Sequence, residues 1–454
     1  MKVAIIGAGA SGLMLGGLLT QKGYDVTIFD GNEKAGKKLY ITGKGRCNIT
    51  NLCDVSDFLN NVVRGEKFLR SAIYSFSPQD TVNFFENLGL KTKVERGNRV
   101  FPLSDKSNDV IKALLKHCKD VKFEYNSKVE KIVKTEKGFE IILKKVENKK
   151  EKNVLADYIA DKVVIATGGE SYKATGSDGS GYILAKSFGH TIEKLVPALC
   201  PIKLKEDLKE LEGLSLKNVS LKADIDGKKK EIFGEMLFTD KGISGPIALS
   251  MSSFINRAGN VKLSLDLKPA LTEEQLEKRL LRDFDSNKNK NLSYILKGLM
   301  PNSLSIFFAK KCGLNLEKKV HDILKEERKI IIDNLKSLSL SYNGLYPIDA
   351  GIITSGGVSL KEVNPKTFES KLVKDLYFVG EILDIDALTG GFNLQIAFAT
   401  SYSCAKNMWK SDLVAVKSFF QHKKWQCHRE ELAFARVKRS LRLGLGIDLL
   451  YYAE

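Results

Sequence analysis

The 454-residue chain has no long apolar run of the kind needed for a membrane-spanning helix, which takes about 18 residues or more. It has no CxxC pair. Its seven cysteines (Cys47, Cys53, Cys118, Cys200, Cys312, Cys404 and Cys427) are scattered and odd in number, so a disulfide framework is excluded and a reduced, cytoplasmic setting is expected. Cys47 and Cys53 lack zinc-site spacing, and no metal is expected. No internal repeat is present, which sets repeat architectures aside. The opening "MKVAIIGAGASGLMLGGLLTQKG" has the outline of a signal peptide, yet it carries spaced glycines and no cleavage site, and a strand follows it.

What is abundant is lysine. The formal net charge is +17, so a nucleic-acid partner has to be weighed. The excess is spread over stretches such as "KKVENKKEK", "DGKKKEI" and "DSNKNKN", without aromatic residues between the charges. A solvated surface is the expectation, with no nucleic acid and no membrane partner.

The first 30 residues read as strand, glycine turn, helix and strand with a terminal acid: "KVAIIGAG", "SGLMLGGLLTQKG", "YDVTIFD". Gly7, Gly9 and Gly12 allow a tight turn and close approach of backbone N–H groups to a pyrophosphate at a helix N-terminus, with Ala10 and Ser11 in the same turn. Asp30, 18 residues after Gly12, is placed to accept from ribose hydroxyls. A lone GxGxxG is weak evidence; this one has its full strand–helix–strand context.

Directly after that acid comes "GKKLYITGKGRCNITN", Gly36 to Asn51, with no clean helical or strand period. Lys37 and Lys38 suit phosphate neutralisation, and Thr42, Gly43, Arg46 and Asn48 offer donors to the second half of a dinucleotide. Arg46 and Cys47 are also the candidates for a catalytic role: Arg46 as a cation for substrate or flavin oxygen, Cys47 as a proton donor or simply a small packed residue. His190 and His321 are read as surface or core histidines.

Two later stretches fit the same ligand. "VVIATGG" ends a strand in Thr167 and Gly168, where backbone can lie close to a nucleotide. "LYFVGEILDIDALTGGFNLQIAFAT" ends a strand at Gly380-Glu381, passes Asp386, and starts a helix at Gly391, Phe392 and Asn393. That helix N-terminus is suited to negative charge on a reduced flavin. One GxGxxG with these late elements points to one noncovalent FAD. No second GxGxxG occurs, so NADH or NADPH would act as a transient electron donor.

Between them, residues 56–118 read mainly as helices and 121–165 as strands. Residues 196–268 look like short strands, and 272–340 are helical and charged. The expected organisation is an α/β nucleotide domain in two parts, 1–192 and 346–412, with a β-domain at 193–270, a helical domain at 271–345 and a tail at 413–454.

Together, "IIGAGASGL", "GKKLYITGKGRCNITN", "GNRVFPLSDKSNDVIKAL", "KVVIATGGESY", "LFTDKGISGPIAL", "ITSGGVSLKEVNPKTFESK" and "LYFVGEILDIDALTGGFNLQIAFATSY" resemble the bacterial family of BaiN-like NAD(P)/FAD-dependent oxidoreductases, which includes aminoacetone oxidase. The resemblance spans residues 1 to about 407 in the family's order. It implies a Rossmann-like, glutathione-reductase-type FAD domain, discontinuous, with an inserted β-barrel-like domain and a helical domain. It implies FAD contacts from Ala10, Asp30, Lys37, Lys38, Glu381 and the Gly391–Asn393 turn, and an adenine-side backbone contact from Val129. Lys37 stands where the family more often has Arg, and Asp30 where Glu is commoner; each keeps its charge with a different reach.

The family does not fix the substrate: its members are linked to reduction of unsaturated steroid ketones and to oxidation of an amino ketone. The resulting expectation is an FAD-dependent oxidoreductase moving hydride equivalents between flavin and a small organic substrate. The alternatives are an oxygen-using amine or amino-ketone oxidase, a flavoprotein acting on RNA, and a noncatalytic FAD sensor or scaffold. The basic stretch after about Asp412, with its helix-like "REELAFARVKRSL", lies beyond the resemblance and reads as an extension, an anchor on a partner or a frameshifted end.

Overall fold

A computed structural model of the chain describes residues 1–147 and 150–422; most of the tail at 413–454 lies outside the described residues. The chain divides into two compact units, Met1–Leu195 with the segment beginning at Ser355, and Val196–Thr354.

The first unit is built on a five-stranded parallel sheet in the order Leu376–Phe378, Lys162–Ile165, Lys2–Ile6, Asp25–Phe29, Lys122–Glu124. Its central strands are largely apolar because helices cover both faces of such a sheet. Val3 to Ile6 and Val26 to Phe29 are all buried. Register sets Ile5 between Val164 and Ile28. The helix Ala10–Thr20 is buried nearly all round, because the long helix Phe392–His422 packs against it: Ser401 Oγ donates to the Ser11 carbonyl at 3.0 Å.

An antiparallel sheet of Ser127–Thr135, Gly138–Glu147 and Lys150–Ala160 occupies the stretch read as strands. The stretch 56–118 is mainly helical, as expected. Ser77 caps Pro78–Asn87 in a reciprocal capping box with Asp80. Within it lies a hairpin, Thr92–Glu95 with Arg99–Pro102, which joins Thr50–Asn51 in a small antiparallel sheet. The chain leaves and re-enters this unit at residues paired within it. Ile192 bridges Val358 antiparallel, the Glu193 amide donates to the Gly357 carbonyl at 2.8 Å, and the Ser359 amide donates to the Thr191 carbonyl at 2.9 Å.

The second unit holds a seven-stranded antiparallel sheet in the order Leu338–Leu340, Val261–Asp266, Ser215–Ile225, Lys228–Thr239, Gly242–Ser244, Ile202–Leu204, Tyr342–Leu345. Composition separates a strand-rich part from a helix-rich part here. The structure gives the two a common core, in which Leu221 and Leu265 of the sheet share one hydrophobic cluster with Leu276, Leu280, Ile331 and Leu335 of the helices. Thr272 and Gln275 cap Glu273–Asp285 reciprocally.

Candidate cofactor site

The glycine turn assigns its three glycines different work. Gly7 has φ +110°, and a Cβ there would lie 2.7 Å from the Ala166 carbonyl oxygen; at Gly12 a Cβ would lie 1.9 Å from the Gly7 oxygen. Those two glycines are demanded by the protein's own backbone. Gly9 has φ −85°, and a Cβ there would meet nothing within 4 Å, so the chain itself does not require a glycine at this position. Gly9 is also the residue that precedes the helix Ala10–Thr20, and no side chain caps that end. Asp30 ties the turn down: its carboxylate accepts from the Ala8 amide at 2.7 Å and from the Asn32 amide and side chain, each at 2.8 Å. Ser11 is buried, packed where a Cβ on Gly380 (φ +77°) would meet its hydroxyl at 2.1 Å.

The stretch from Gly36 on forms a short helix, Lys37–Ile41, entered through Gly36 at φ +74°. Its two lysines are paired. Lys37 reaches Glu33 at 2.6 Å, and Lys38 reaches both carboxylate oxygens of Glu381 at 2.8 and 3.0 Å and Ser171 at 2.9 Å. The Lys38–Glu381 pair joins this short helix to the segment that follows the strand Leu376–Phe378, across 343 residues of sequence. The Thr42 hydroxyl closes this helix on the Lys38 carbonyl at 2.8 Å.

The following loop is left-handed at Gly43, Lys44, Gly45 and Cys47, with φ +61°, +58°, +83° and +61°. Lys44 and Cys47 are not glycines, so this geometry is held against a local steric preference. The clamp is Arg46. Its guanidinium donates to Asp105 at 2.8 Å, pairs with Glu95, and lies 4.2 Å over the Phe101 ring. Lys93 joins through Asp105 at 2.5 Å. Hydrogen bonds to these cations hold both carboxyls below the usual range, Glu95 chiefly through Arg46 and Asp105 chiefly through Lys93. Cys47 is fully buried, and burial pushes its thiol up to about 12, so no thiolate forms at neutral pH and the packed-residue alternative describes its surroundings. His190 is likewise a buried histidine, between Glu362 and Ser370, and His321 is exposed.

The Gly390–Gly391 turn closes on the same place. A Cβ on Gly391 (φ +99°) would meet the Thr50 carbonyl at 2.5 Å and Asn48 Oδ1 at 2.9 Å. Phe392 is buried edge-on against Phe58, and Asn393 holds the preceding segment by accepting from the Ala387 amide and donating to its carbonyl. Asp386 is fully buried and accepts from Ser355 at 2.9 Å. Thr167 and Gly168 follow the strand Lys162–Ile165, whose neighbours in the sheet are Lys2–Ile6 and Leu376–Phe378. Val129 is buried on Ser127–Thr135 beside a bulge at residue 130, and the Ser127 amide donates to the Asp30 carbonyl. Among the described residues, Asn48 Oδ1, Thr167 Oγ1 and the Tyr182 hydroxyl are buried without a hydrogen-bond partner.

Sequence reasoning passed over two residues of this site. Gln395 is buried, accepts from Thr50 and Thr81 at 2.7 and 2.6 Å, and donates to the Phe76 carbonyl at 2.9 Å. Asn51 Nδ2 donates to Gly97 O at 3.0 Å and to Gly390 O at 3.1 Å. Gln395 was visible inside the TGGFNLQ stretch, but its partners lie over 300 residues away.

The profile described as HI0933-like protein Rossmann domain matches residues 1–407. The chain belongs to this family, and with it to the FAD-dependent oxidoreductases. It is 31% identical over 414 residues to the 3-dehydro-bile acid delta(4,6)-reductase of Clostridium scindens, covering 88% of this chain and 97% of that protein. It is 29% identical over 419 residues to the ribosomal RNA dihydrouridine synthase of Escherichia coli strain K12, covering 91% and 98%. The structure of 3-ketosteroid-delta4-(5alpha)-dehydrogenase from Rhodococcus jostii RHA1 in complex with 4-androstene-3,17-dione aligns at a TM-score of 0.46 and 14% identity, over 89% of this chain and 96% of that one.

Proposed function

We propose that the chain holds FAD against the Gly7–Gly12 turn, the 36–48 segment and the Gly391–Asn393 turn, and reduces a ring carbon–carbon double bond conjugated to a carbonyl. The observation that carries the cofactor assignment is the open space at Gly9, at an uncapped helix end, together with the buried unpartnered atoms of Asn48 and Thr167. A buried polar atom without a partner is costly, and a ligand that hydrogen-bonds to it removes that cost. In this reading the amides of residues 9–12 face the pyrophosphate. Asp30 has acceptor capacity left for a ribose hydroxyl, since a carboxylate accepts about four hydrogen bonds. Val129 lies on the adenine side.

The remaining assigned residues position the site. Lys38, neutralised by Glu381, acts as a fixed strut more than as a free phosphate cation. Thr42, Gly43 and Gly168 shape the backbone, Asn393 fixes the turn before the long helix, and the first N–H groups of that helix favour negative charge at its end. Bound FAD would supply the hydride chemistry, with NADH or NADPH as the external donor.

The reaction type is supported by the two curated relatives. A delta(4,6)-reductase acting on a 3-dehydro bile acid and a synthase of dihydrouridine both saturate a ring double bond conjugated to a carbonyl, although one substrate is a sterol acid and the other a base in RNA. The test is an anaerobic visible spectrum of the purified protein. Flavin absorbance should bleach on adding NADH or NADPH and return on adding a conjugated ring ketone or uridine-containing RNA. Flavin that stays oxidised with nicotinamide but bleaches with an amino ketone would replace this reading with the oxidase alternative.

A further inference from the structure

We infer that the hairpin around residues 91–106, with the loop at 40–46, is the docking surface for the phosphodiester backbone of an RNA whose base enters the site; this rests on the ring-reductase reading above. The two segments carry seven cations (Lys44, Arg46, Lys91, Lys93, Arg96, Arg99 and Lys106) against two acids, Glu95 and Asp105. Both acids are engaged by Arg46 and Lys93. Lys44, Lys91, Arg96, Arg99 and Lys106 are exposed and form no ion pair among the described residues.

The fold brings the two segments together. The Ser107 amide donates to the Gly45 carbonyl at 2.8 Å, which sets Lys106 beside Lys44, and the Ser107 hydroxyl donates to the Tyr40 carbonyl at 2.7 Å. Tyr40 is 57% exposed, so an aromatic ring stands among these cations, the combination that tracks a backbone and stacks a base. The surface also reaches the site. Gly97, at the hairpin tip between Arg96 and Arg99, shares the Asn51 side-chain amide with Gly390 in the turn before the long helix. A small neutral substrate has no use for five uncompensated cations there; a polyanion does.

The experiment is a salt series of fluorescence anisotropy titrations of the FAD-loaded full chain with a fluorescein-labelled, uridine-containing 20-nucleotide RNA. Each phosphate contact to a single strand contributes roughly 0.7 to the slope of log affinity against log salt. The pair Arg96→Gln with Lys106→Gln should therefore reduce that slope by about 1.4, with flavin content unchanged. Tyr40→Ala should weaken binding about tenfold and leave the slope as it was. A control of equal kind, Lys228→Gln with Lys229→Gln and Lys230→Gln on the exposed hairpin of the second unit, should do neither.

A control that lowers the slope as much as the Arg96/Lys106 pair would overturn the assignment, since the attraction would then be net charge alone. So would undetectable binding at 0.1 M salt. The same preparations separate this from the underlying reading. RNA that docks as described, while neither it nor a conjugated ring ketone reoxidises reduced flavin, refutes the reaction and leaves the surface. A conjugated ketone that reoxidises flavin in a protein with no RNA affinity refutes the surface and leaves the reaction.

Discussion

The glycine turn at 7–12 and the loop at 43–47 both bend backbone toward the candidate cofactor site, by opposite means. The first is uncharged and solved by sterics: Gly7 and Gly12 fit because no Cβ has room, and Gly9 stays open. The second keeps two non-glycine residues, Lys44 and Cys47, left-handed, and holds them from outside through Arg46, Glu95 and Asp105. A turn specified by absent side chains is local and rigid. A turn specified by distant ion pairs depends on the rest of the unit being in place.

The largest effect should come from Gly12→Ala. Its methyl would meet the Gly7 carbonyl at 1.9 Å with no flexible neighbour to yield, so we expect loss of the folded first unit, read as absence of a cooperative melt. Gln395→Leu tests the exit from the second loop. It strands the Thr50 and Thr81 hydroxyls and the Phe76 carbonyl in the core and should cost about 3 kcal/mol in denaturant titration. Gly9→Val sharpens the contrast within the first turn. It should leave the apoprotein's melting temperature nearly unchanged and abolish FAD retention; a yellow, stably loaded variant refutes the pyrophosphate assignment.

Arg46→Gln breaks the second device alone, and pH reports on it. Glu95 and Asp105 are depressed in the folded protein, so their contribution is fully present above the ordinary carboxylate pKa near ~4 and is lost as pH falls through the depressed values. The parent protein should therefore keep flavin to below about pH 4, whereas Arg46→Gln should release it at a higher pH, measured by flavin fluorescence in the filtrate. The smallest change is Lys44→Gly. Relieving a left-handed lysine at φ +58° should raise stability by about 0.5 kcal/mol, net of the added freedom of glycine in the unfolded chain.

What the sequence shows directly is what is local. Spacing identified the glycine turn, the acid at Asp30 and the helix that starts at Phe392, since strand, turn and helix signals there lie within one short stretch. Side-chain partnerships were out of reach. Arg46 looked like a free cation because its acids stand 49 and 59 residues away, and Lys38 because Glu381 is 343 residues away. The hairpin from Thr92 to Pro102 fell inside a stretch read mainly as helices, because its strands are rich in charge and carry little apolar alternation. The cation cluster was hidden because its two segments are 45 or more residues apart in sequence and meet only where Ser107 bonds to the Tyr40 and Gly45 carbonyls. The composition change near residue 270 marks a shift from strands to helices, while the apolar positions on both sides fill one core.

The pairing of Ile192 with Val358 has an evolutionary consequence. The chain departs from the first unit and returns to it at two residues joined by an isolated β-bridge, so everything from 196 to 354 is, to that unit, a single long loop closed by its own hydrogen bonds. Closing a longer loop adds little entropy, since each doubling costs about 0.6 kcal/mol. Lineages can therefore lengthen, trim or exchange the insert with little thermodynamic penalty to the nucleotide-binding half.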